Sequence, residues 1–473
     1  MSNFKNSAAV TRTKAPTFQI NRRHFIYTTA LAASALATGC VTRSVNYKSP
    51  NEKLDIASIG TNGKGASDIA NSSGENIVAL CDVDENNLNA AAKKYPKAKL
   101  YRDYRIMLAD KFSFDAVTVS TPDHHHAVAT MQAIQMGKHV YCQKPLTHTI
   151  WEARQVMLAA RKHKVATQMG NQGHSGEGNR ELCEMIWSGV IGQVREVHCW
   201  TDRSKGWWAQ GQRRPAGSDP VPANLDWNLW LGAAPERPYL ATWPDAPATG
   251  DKKKKRGLNI YHNFAWRGWW DFGCGALGDM GCHIMDGANW ALKFGSPETV
   301  ELVHSSEIVP EMAPQSSIVR YQFPQRGDLV PCTMTWYDSG QKPQRPAELE
   351  AKELGSNGSL FIGDKGKIIC ETYGEKPTLL PESLMKDFKK PAQIIARVPE
   401  NNPHLDWIRA CKGGPAACSN FDVSAPFTET VLLGNLAIRL GKKIEWDAKH
   451  MRVKNMPEAD ILIKKHYRQG WSV

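Results

Sequence analysis

At 473 residues the chain exceeds one ordinary hydrophobic core and suits two domains plus an appendage. Hydrophobic residues make up 41% and charged residues 22%, which excludes a globally disordered chain. The formal charge of +12 is inflated by residues 1–39, which hold five Lys/Arg and no Asp/Glu and leave +7 for the rest. A run at Lys252-Lys253-Lys254-Lys255-Arg256 supplies most of that remainder. It lacks aromatic interleaving and reads as a solvated loop, so no nucleic-acid partner is expected.

Residues 1–40 read as a targeting segment. Arg22-Arg23 is followed by a short apolar run, too short to stay in a bilayer as a helix, and then by Ala37-Thr38-Gly39-Cys40. Twin-arginine signals serve bacterial export. The small residues before Cys40 resemble a lipoprotein processing site, so a periplasmic or membrane-anchored protein is expected, with a lipid anchor at Cys40 as the only membrane contact. The eleven cysteines show no metal-type spacing, although Cys411 and Cys418 could bridge a short loop.

After a linker at 41–52, residues 53–168 read as a dinucleotide-binding domain. A short strand to Ile59 runs into Gly60-Thr61-Asn62-Gly63-Lys64-Gly65 and a helix. Such glycines permit the tight turn and let helix amides meet a pyrophosphate. Asn62 replaces the middle glycine of the G-x-G-x-x-G pattern and tolerates left-handed backbone better than most residues. A second strand ends at Asp82, where an acid binds the adenosine ribose and favours NAD over NADP. A third strand ends in Thr121-Pro122-Asp123-His124-His125-His126, and a fourth leads to Gln143-Lys144-Pro145. Ligands of such sheets lie at the strands' carboxyl ends, so these loops converge on the cofactor. If the histidines are extended, at most two face one side; no metal is expected.

Residues 169–473 form the second domain. Gln172 and His174 at the junction are candidate substrate contacts or a polar hinge. Residues 202–263 are irregular and rich in Trp, Pro and Gly, which marks a folded insertion over the cleft or a neighbouring subunit. His262 and Trp266 are further candidates for touching substrate. In Trp266–Asp286, Asp279 and His283 fall four residues apart, on one face of a helix opened by Trp266, Trp269 and Trp270. Gly275, Gly278 and Gly281 recur beside that face and suggest close approach of a backbone or ligand. A carboxylate beside an imidazole fits either proton transfer on a sugar-like substrate or a buried pair in a packing helix.

The series Gly60 to Gly65, Cys81-Asp82, Thr121-Pro122-Asp123-His124-His125-His126, Gln143-Lys144-Pro145 and Gly278-Asp279-Met280-Gly281-Cys282-His283 resembles the Gfo/Idh/MocA oxidoreductases, including exported members. The resemblance runs from about Leu54 to Trp446-Asp447. It implies an α/β fold: an N-terminal Rossmann NAD-binding domain, then an α/β domain with a large, open, mainly antiparallel sheet whose back face mediates homo-oligomers. It also implies Lys144, Asp279 and His283 as the catalytic trio and NAD as the cofactor, and the export of folded proteins by the twin-arginine route leads us to expect that NAD to be tightly bound. Gly60, Asn62, Gly63, Gly65, Asp82, Thr121, Pro122, Asp123, His126 and Lys144 would face that cofactor. Two departures stand out: Gln143 replaces the family's usual glutamate, and Asp123 stands where asparagine is frequent.

The expected activity is hydride transfer between a sugar carbinol and NAD. His283 would be the base, Asp279 would orient the substrate hydroxyl or His283, and Lys144 would stabilise the alkoxide. Two alternatives remain open. One is a glycoside hydrolase that uses NAD transiently, by oxidation at the sugar's C3 and elimination; the other is a non-catalytic sugar-binding lipoprotein.

Overall fold

The computed structural model describes residues 48–244 and 258–473. The targeting segment through Cys40 and the basic run at 252–256 lie outside the described residues.

Six short strands form a parallel sheet: β1 (Asp55–Ile59), β2 (Asn76–Cys81), β3 (Lys99–Tyr101), β4 (Ala116–Val119), β5 (His139–Cys142) and β6 (Thr167–Met169). Their order is β3-β2-β1-β4-β5-β6. Strands β1, β4 and β5 are almost wholly buried, as continuous apolar runs in a sheet covered on both faces must be. Ile59 pairs with both Cys81 and Val119, so the carboxyl ends of the central strands align. The order reverses between β1 and β4, which opens the crevice where ligands of such sheets bind.

The helix Ile150–His163 begins at Thr149 with a capping box to Glu152. Its flank carries Arg154, whose Nε and Nη2 each donate at 2.7 Å to the Glu429 carboxylate on the helix Phe421–Leu440. That long helix packs against both Ile150–His163 and the second sheet, and so joins the two halves. At the centre of the second sheet are β7 (Val194–Trp200), β8 (Thr299–Ser305), β9 (Ser317–Phe323), β10 (Cys332–Tyr337) and β11 (Gly358–Gly363). The sheet, which ends with β12 (Lys367–Cys370), β13 (Thr378–Leu380), β14 (Ile444–Asp447) and β15 (Arg452–Val453) in chain order, has nine strands among the described residues, arranged β13-β12-β11-β7-β10-β9-β8-β14-β15. The β7–β10 pair is parallel and the other pairs are antiparallel. Along β9 the residues Ser317, Val319, Tyr321 and Phe323 are buried while those between are more exposed, the alternation of a sheet covered on one face. A Rossmann sheet followed by a mainly antiparallel one is the fold that the sequence led us to expect.

Several local expectations are corrected. Part of the C-terminal region returns to the first domain: Trp407, Ile408 and Cys411 of the helix Pro403–Cys411 pack on Leu54, Ile56, Ala116 and Tyr141 of the first sheet. Cys411 and Cys418 are free thiols rather than a bridge. The catalytic-stretch helix does not open at Trp266. Residues Ala265–Gly268 make a 3-10 turn, and the helix runs only over Gly275–Ile284, starting from Gly275 with φ of +63°. Trp266, Trp269 and Trp270 are instead buried packing residues; Trp266 and Trp269 join an aromatic core with Trp230, Tyr261 and Phe272.

Candidate active site

The crevice at the β1/β4 switch point widens into a cleft of about 590 Å³. Its nucleotide end is built by the turn after β1. Gly60 has φ of +86°, and a Cβ there would lie 2.5 Å from the Ser120 carbonyl oxygen. A Cβ on Gly65 would lie 2.2 Å from the Gly60 carbonyl, so only glycine lets the helix Lys64–Asn71 start this close to the strand. Gly65 therefore shapes the turn from behind, while Gly60, Asn62 and Gly63 line the cleft. Among the described residues no side chain caps that helix, although the Gly65 N–H already donates to the Asn62 carbonyl (3.0 Å), and the helix start faces the cleft, where an anion can approach it. Asp82 also lines the cleft, its carboxylate accepting from the Thr61 N–H (2.9 Å), the Thr61 hydroxyl (3.0 Å) and the Asp84 N–H (3.0 Å). Glycines that a Cβ would block, an uncapped helix and an acid at the end of β2 are a donor set that fits a dinucleotide.

At the other end, Lys144 follows β5 and meets the Gly275–Ile284 helix. Its Nζ donates to both the backbone carbonyl and the Oδ1 of Asp279, each at 2.9 Å. Arg267 Nε donates to the same Oδ1 at 3.1 Å. Burial alone would raise the Asp279 carboxyl, but the charges and hydrogen bonds of Lys144 and Arg267 outweigh it and hold the group well below the ordinary carboxylate range. Asp279 is thus a permanent anion shared by two cations, and it makes no hydrogen bond to His283. This removes the expected role of orienting that ring.

His283 lies one helical turn on and lines the same cleft. Its Nδ1 is buried and has no hydrogen-bond partner among the described residues, and the ring packs edge-on against Tyr373, with centroids 4.9 Å apart. Burial and then the nearby Lys144 charge push its pKa well down, so the imidazole stays neutral and able to accept a proton. Asp123 opens the helix Asp123–Gln135 and faces the same charges, its Oδ2 accepting from the Cys274 N–H at 3.1 Å. Burial raises its carboxyl to about 7, against the opposing pull of Arg267 and Lys144.

Of the remaining candidates, Thr121, Pro122, Asp123, Gln172, His262 and Trp266 all line the cleft. The Nε2 of His262 lies 2.9 Å from Asp84 Oδ2, which tethers it at the rim. His126 does not belong there. The three histidines are not extended but occupy the first turn of a helix, all buried. The His126 ring nitrogens lie 2.7 and 2.9 Å from the carbonyl oxygens of Pro145 and Thr121, tying two loops together behind the site. His174 is buried elsewhere, 2.9 Å from Asp286 and stacked on Trp290. The three glycines have ordinary packing neighbours: a Cβ on Gly275 would meet Ala313, one on Gly278 would meet Cys274, and one on Gly281 would meet Leu277, Met285 and Val431. The sequence reading missed Arg203, Arg267 and Tyr373, which all line the cleft. Arg267 stood inside the Trp-rich stretch already singled out; Arg203 and Tyr373 follow strands whose ends only the second sheet brings together.

The Gln143 departure also has a structural reading. Its side chain turns away from Lys144 and donates from Nε2 to Asp68 Oδ2 at 2.8 Å. Asp68 is fully buried and accepts also from Ser120 (2.7 Å), with His404 (3.0 Å) and Lys64 (3.0 Å) on its other oxygen.

A Rossmann sheet with this turn, a second open sheet and a cleft lined by Lys144, Asp279 and His283 define a two-domain α/β protein of the Rossmann class. More narrowly, the chain belongs to the Gfo/Idh/MocA family. Residues 54–171 match the family's NAD-binding Rossmann fold and residues 179–311 its C-terminal alpha/beta domain. Inositol 2-dehydrogenase of Salmonella paratyphi B is 34% identical over 128 residues, 27% of this chain and 38% of that protein. D-glucoside 3-dehydrogenase of Escherichia coli is 30% identical over 118 residues, 25% of this chain and 33% of that one. These matches span well under half of either relative. The WlbA dehydrogenase of Bordetella pertussis, solved with NADH and UDP-GlcNAcA, superposes with a TM-score of 0.56 at 15% identity, covering 84% of this chain and 99% of that one. That likeness speaks for the fold.

Proposed function

We propose that this protein oxidises or reduces a carbinol of a sugar or sugar derivative by hydride transfer with NAD. The observation that carries the reading is the convergence of Lys144, Asp279 and neutral His283 at one end of a cleft whose other end is the glycine turn. The dehydrogenases of inositol and of D-glucosides among its relatives point to the same substrate class. Bound NAD would supply the hydride acceptor, held by the turn amides, with Asp82 at the ribose favouring NAD over NADP. His283 takes the hydroxyl proton. Lys144, fixed by two bonds to Asp279, sets a positive charge beside the developing alkoxide, and Asp279 holds both Lys144 and Arg267 in place.

The twin arginine and Cys40 support export to the periplasm, with or without a lipid anchor. Loading with cofactor before export would favour tight binding, and the open face of the nine-stranded sheet suits a homo-oligomer. The test is to denature purified protein, assay released NAD(H), and screen sugars and glycosides against the loaded protein. Absence of NAD together with no reaction on any carbinol would overturn the proposal.

A redox glycosidase is the second reading. Asp123 favours it, because elimination of an aglycone calls for an acid besides the base, and this buried carboxyl sits near 7 on the cleft wall. Cleavage of an aryl glycoside without net NADH would select it over simple dehydrogenation.

A further inference from the structure

We infer that the sugar carries a carboxylate, and that Arg203, stacked on Trp207, is the residue that selects it. This rests on the sugar-carbinol reading above and narrows it to sugar acids and their glycosides.

Two arginines line the His283 end of the cleft with donors to spare. Arg203 follows β7, in a loop pinned by the Ser339 N–H bonded to the Arg203 carbonyl (2.5 Å) and by Thr201 bonded to Asn357 (2.5 Å). Its guanidinium lies 3.4 Å from the centroid of the Trp207 ring, which is 38% exposed. Among the described residues its side chain makes one hydrogen bond, from Nη1 to Asp202, a residue that does not line the cleft. Its Nε and Nη2 remain available. Arg267 uses Nε on Asp279 and Nη1 on the Phe264 carbonyl (3.0 Å), which leaves its Nη2.

The charge balance points the same way. Lys144, Arg203 and Arg267 face this end against two carboxylates, Asp279, shared by Lys144 and Arg267, and Asp202, paired with Arg203, which leaves one cation in excess. Asp123, the other carboxyl here, is pushed up to about 7 by burial, so it is only partly an anion at neutral pH. A neutral sugar would leave the open edge of Arg203 facing only hydroxyls. A carboxylate on the pyranose would accept a paired N–H fork, the geometry for which a planar guanidinium is suited, while Trp207 supports one face of that guanidinium. The glycine turn whose amides would meet the cofactor's phosphates follows β1 of the first sheet, whereas Arg203 follows β7 of the second.

The experiment pairs methyl glucopyranosiduronate with methyl glucopyranoside, and the galacto pair likewise, on cofactor-loaded protein. Binding is followed by tryptophan fluorescence, turnover by NADH and product analysis. One charge-assisted bond predicts that the better uronate exceeds its neutral partner by about 30-fold in kcat/KM or affinity. Arg203→Gln should bring that ratio to within about threefold of one, Arg203→Lys should retain part of it, and NAD affinity should be unmoved in both. A ratio near one in the parent protein overturns the inference, as does Arg203→Gln weakening both partners equally or loosening NAD. NADH formed from neutral sugars alone would refute the carboxylate and leave the oxidoreductase reading standing. If no sugar is turned over, saturable uronate binding that Arg203→Gln removes would still support the acid site, and its absence would refute it.

Discussion

Lys144→Met separates a catalytic cation from a structural one. The lysine is 15% exposed at its side chain and contributes two 2.9 Å hydrogen bonds to Asp279. Removing one partner of a buried ion pair commonly costs about 3–5 kcal/mol, because it strands the other charge. Here Arg267 stays on the same oxygen at 3.1 Å, so the carboxylate is not stranded. The stability loss should be nearer the value of charged hydrogen bonds, about 2 kcal/mol. The rate loss should be larger. A preorganised donor aimed at a developing oxyanion is worth on the order of 10²–10³ in kcat, about 3–4 kcal/mol. The assay is stopped-flow NADH absorbance on loaded protein at saturating sugar, beside urea unfolding and NAD titration. NAD affinity should stay within about threefold, since the glycine turn and Asp82 are untouched. Arg267→Met is the control, because it also removes one bond to Asp279 but leaves Lys144. If the two variants lose equal activity, Lys144 acts only by holding Asp279; if Lys144→Met retains full turnover, its role at the alkoxide is wrong.

Gln143→Glu places a second carboxylate against Asp68 and should cost on the order of 3 kcal/mol in urea unfolding, with Asp68→Asn restoring much of it; additive losses would refute the pairing. Gly65→Ala forces a methyl group onto the Gly60 carbonyl and should weaken NAD binding by more than about tenfold, measured by fluorescence titration, and unchanged affinity would remove this turn from the cofactor site. Asp123→Asn keeps the acceptor for the Cys274 N–H and deletes a carboxyl that burial raises to about 7. The folded value lies above the unfolded one of about 4, so the parent protein loses stability as pH rises between them. Relative to the parent, the variant should therefore gain up to about 4 kcal/mol across that window. Urea unfolding at about pH 5 and about pH 8 tests this, and a pH-independent difference refutes the shift.

The first sheet was legible because its signals are local: four apolar runs, each ending in a loop with its own polar residue. Asp279 and His283 were legible from one helical spacing. Arg267 was not singled out, because its role depends on the turn at Ala265–Gly268 that folds it back onto Asp279, and Trp266 was assigned to the helix instead. The His124–His126 run misled for a related reason. As an extended strand end it would have alternated, whereas as a first helical turn it buries all three rings, His124 and His125 both reaching the Trp230 carbonyl. Arg203 and Tyr373 carry no local signal. They follow β7 and β12 (Lys367–Cys370), and only the order of the nine-stranded sheet brings their loops to one cleft.

The two departures from the family pattern can be understood together as a redistribution of carboxylates around Lys144. A glutamate at position 143 would sit within reach of Asp68, and one buried pocket cannot hold two unpaired carboxylates without raising one of them strongly. Glutamine resolves this by donating, so the anion beneath the glycine turn is Asp68, neutralised by Lys64 and bonded by Ser120 and His404. Nearer the substrate, Asp123 replaces a neutral amide with a group that can carry a proton. Lys144 therefore answers to Asp279 as its ion-pair partner, with Asp123 as a nearby carboxyl whose charge changes near neutral pH. A titratable carboxyl close to both Lys144 and Arg267 makes the positive potential at that end of the cleft depend on pH in a way an asparagine would not. That dependence should appear as an ionisation near 7 in kcat that Asp123→Asn abolishes, while the His283 imidazole, held neutral well below that range, contributes none.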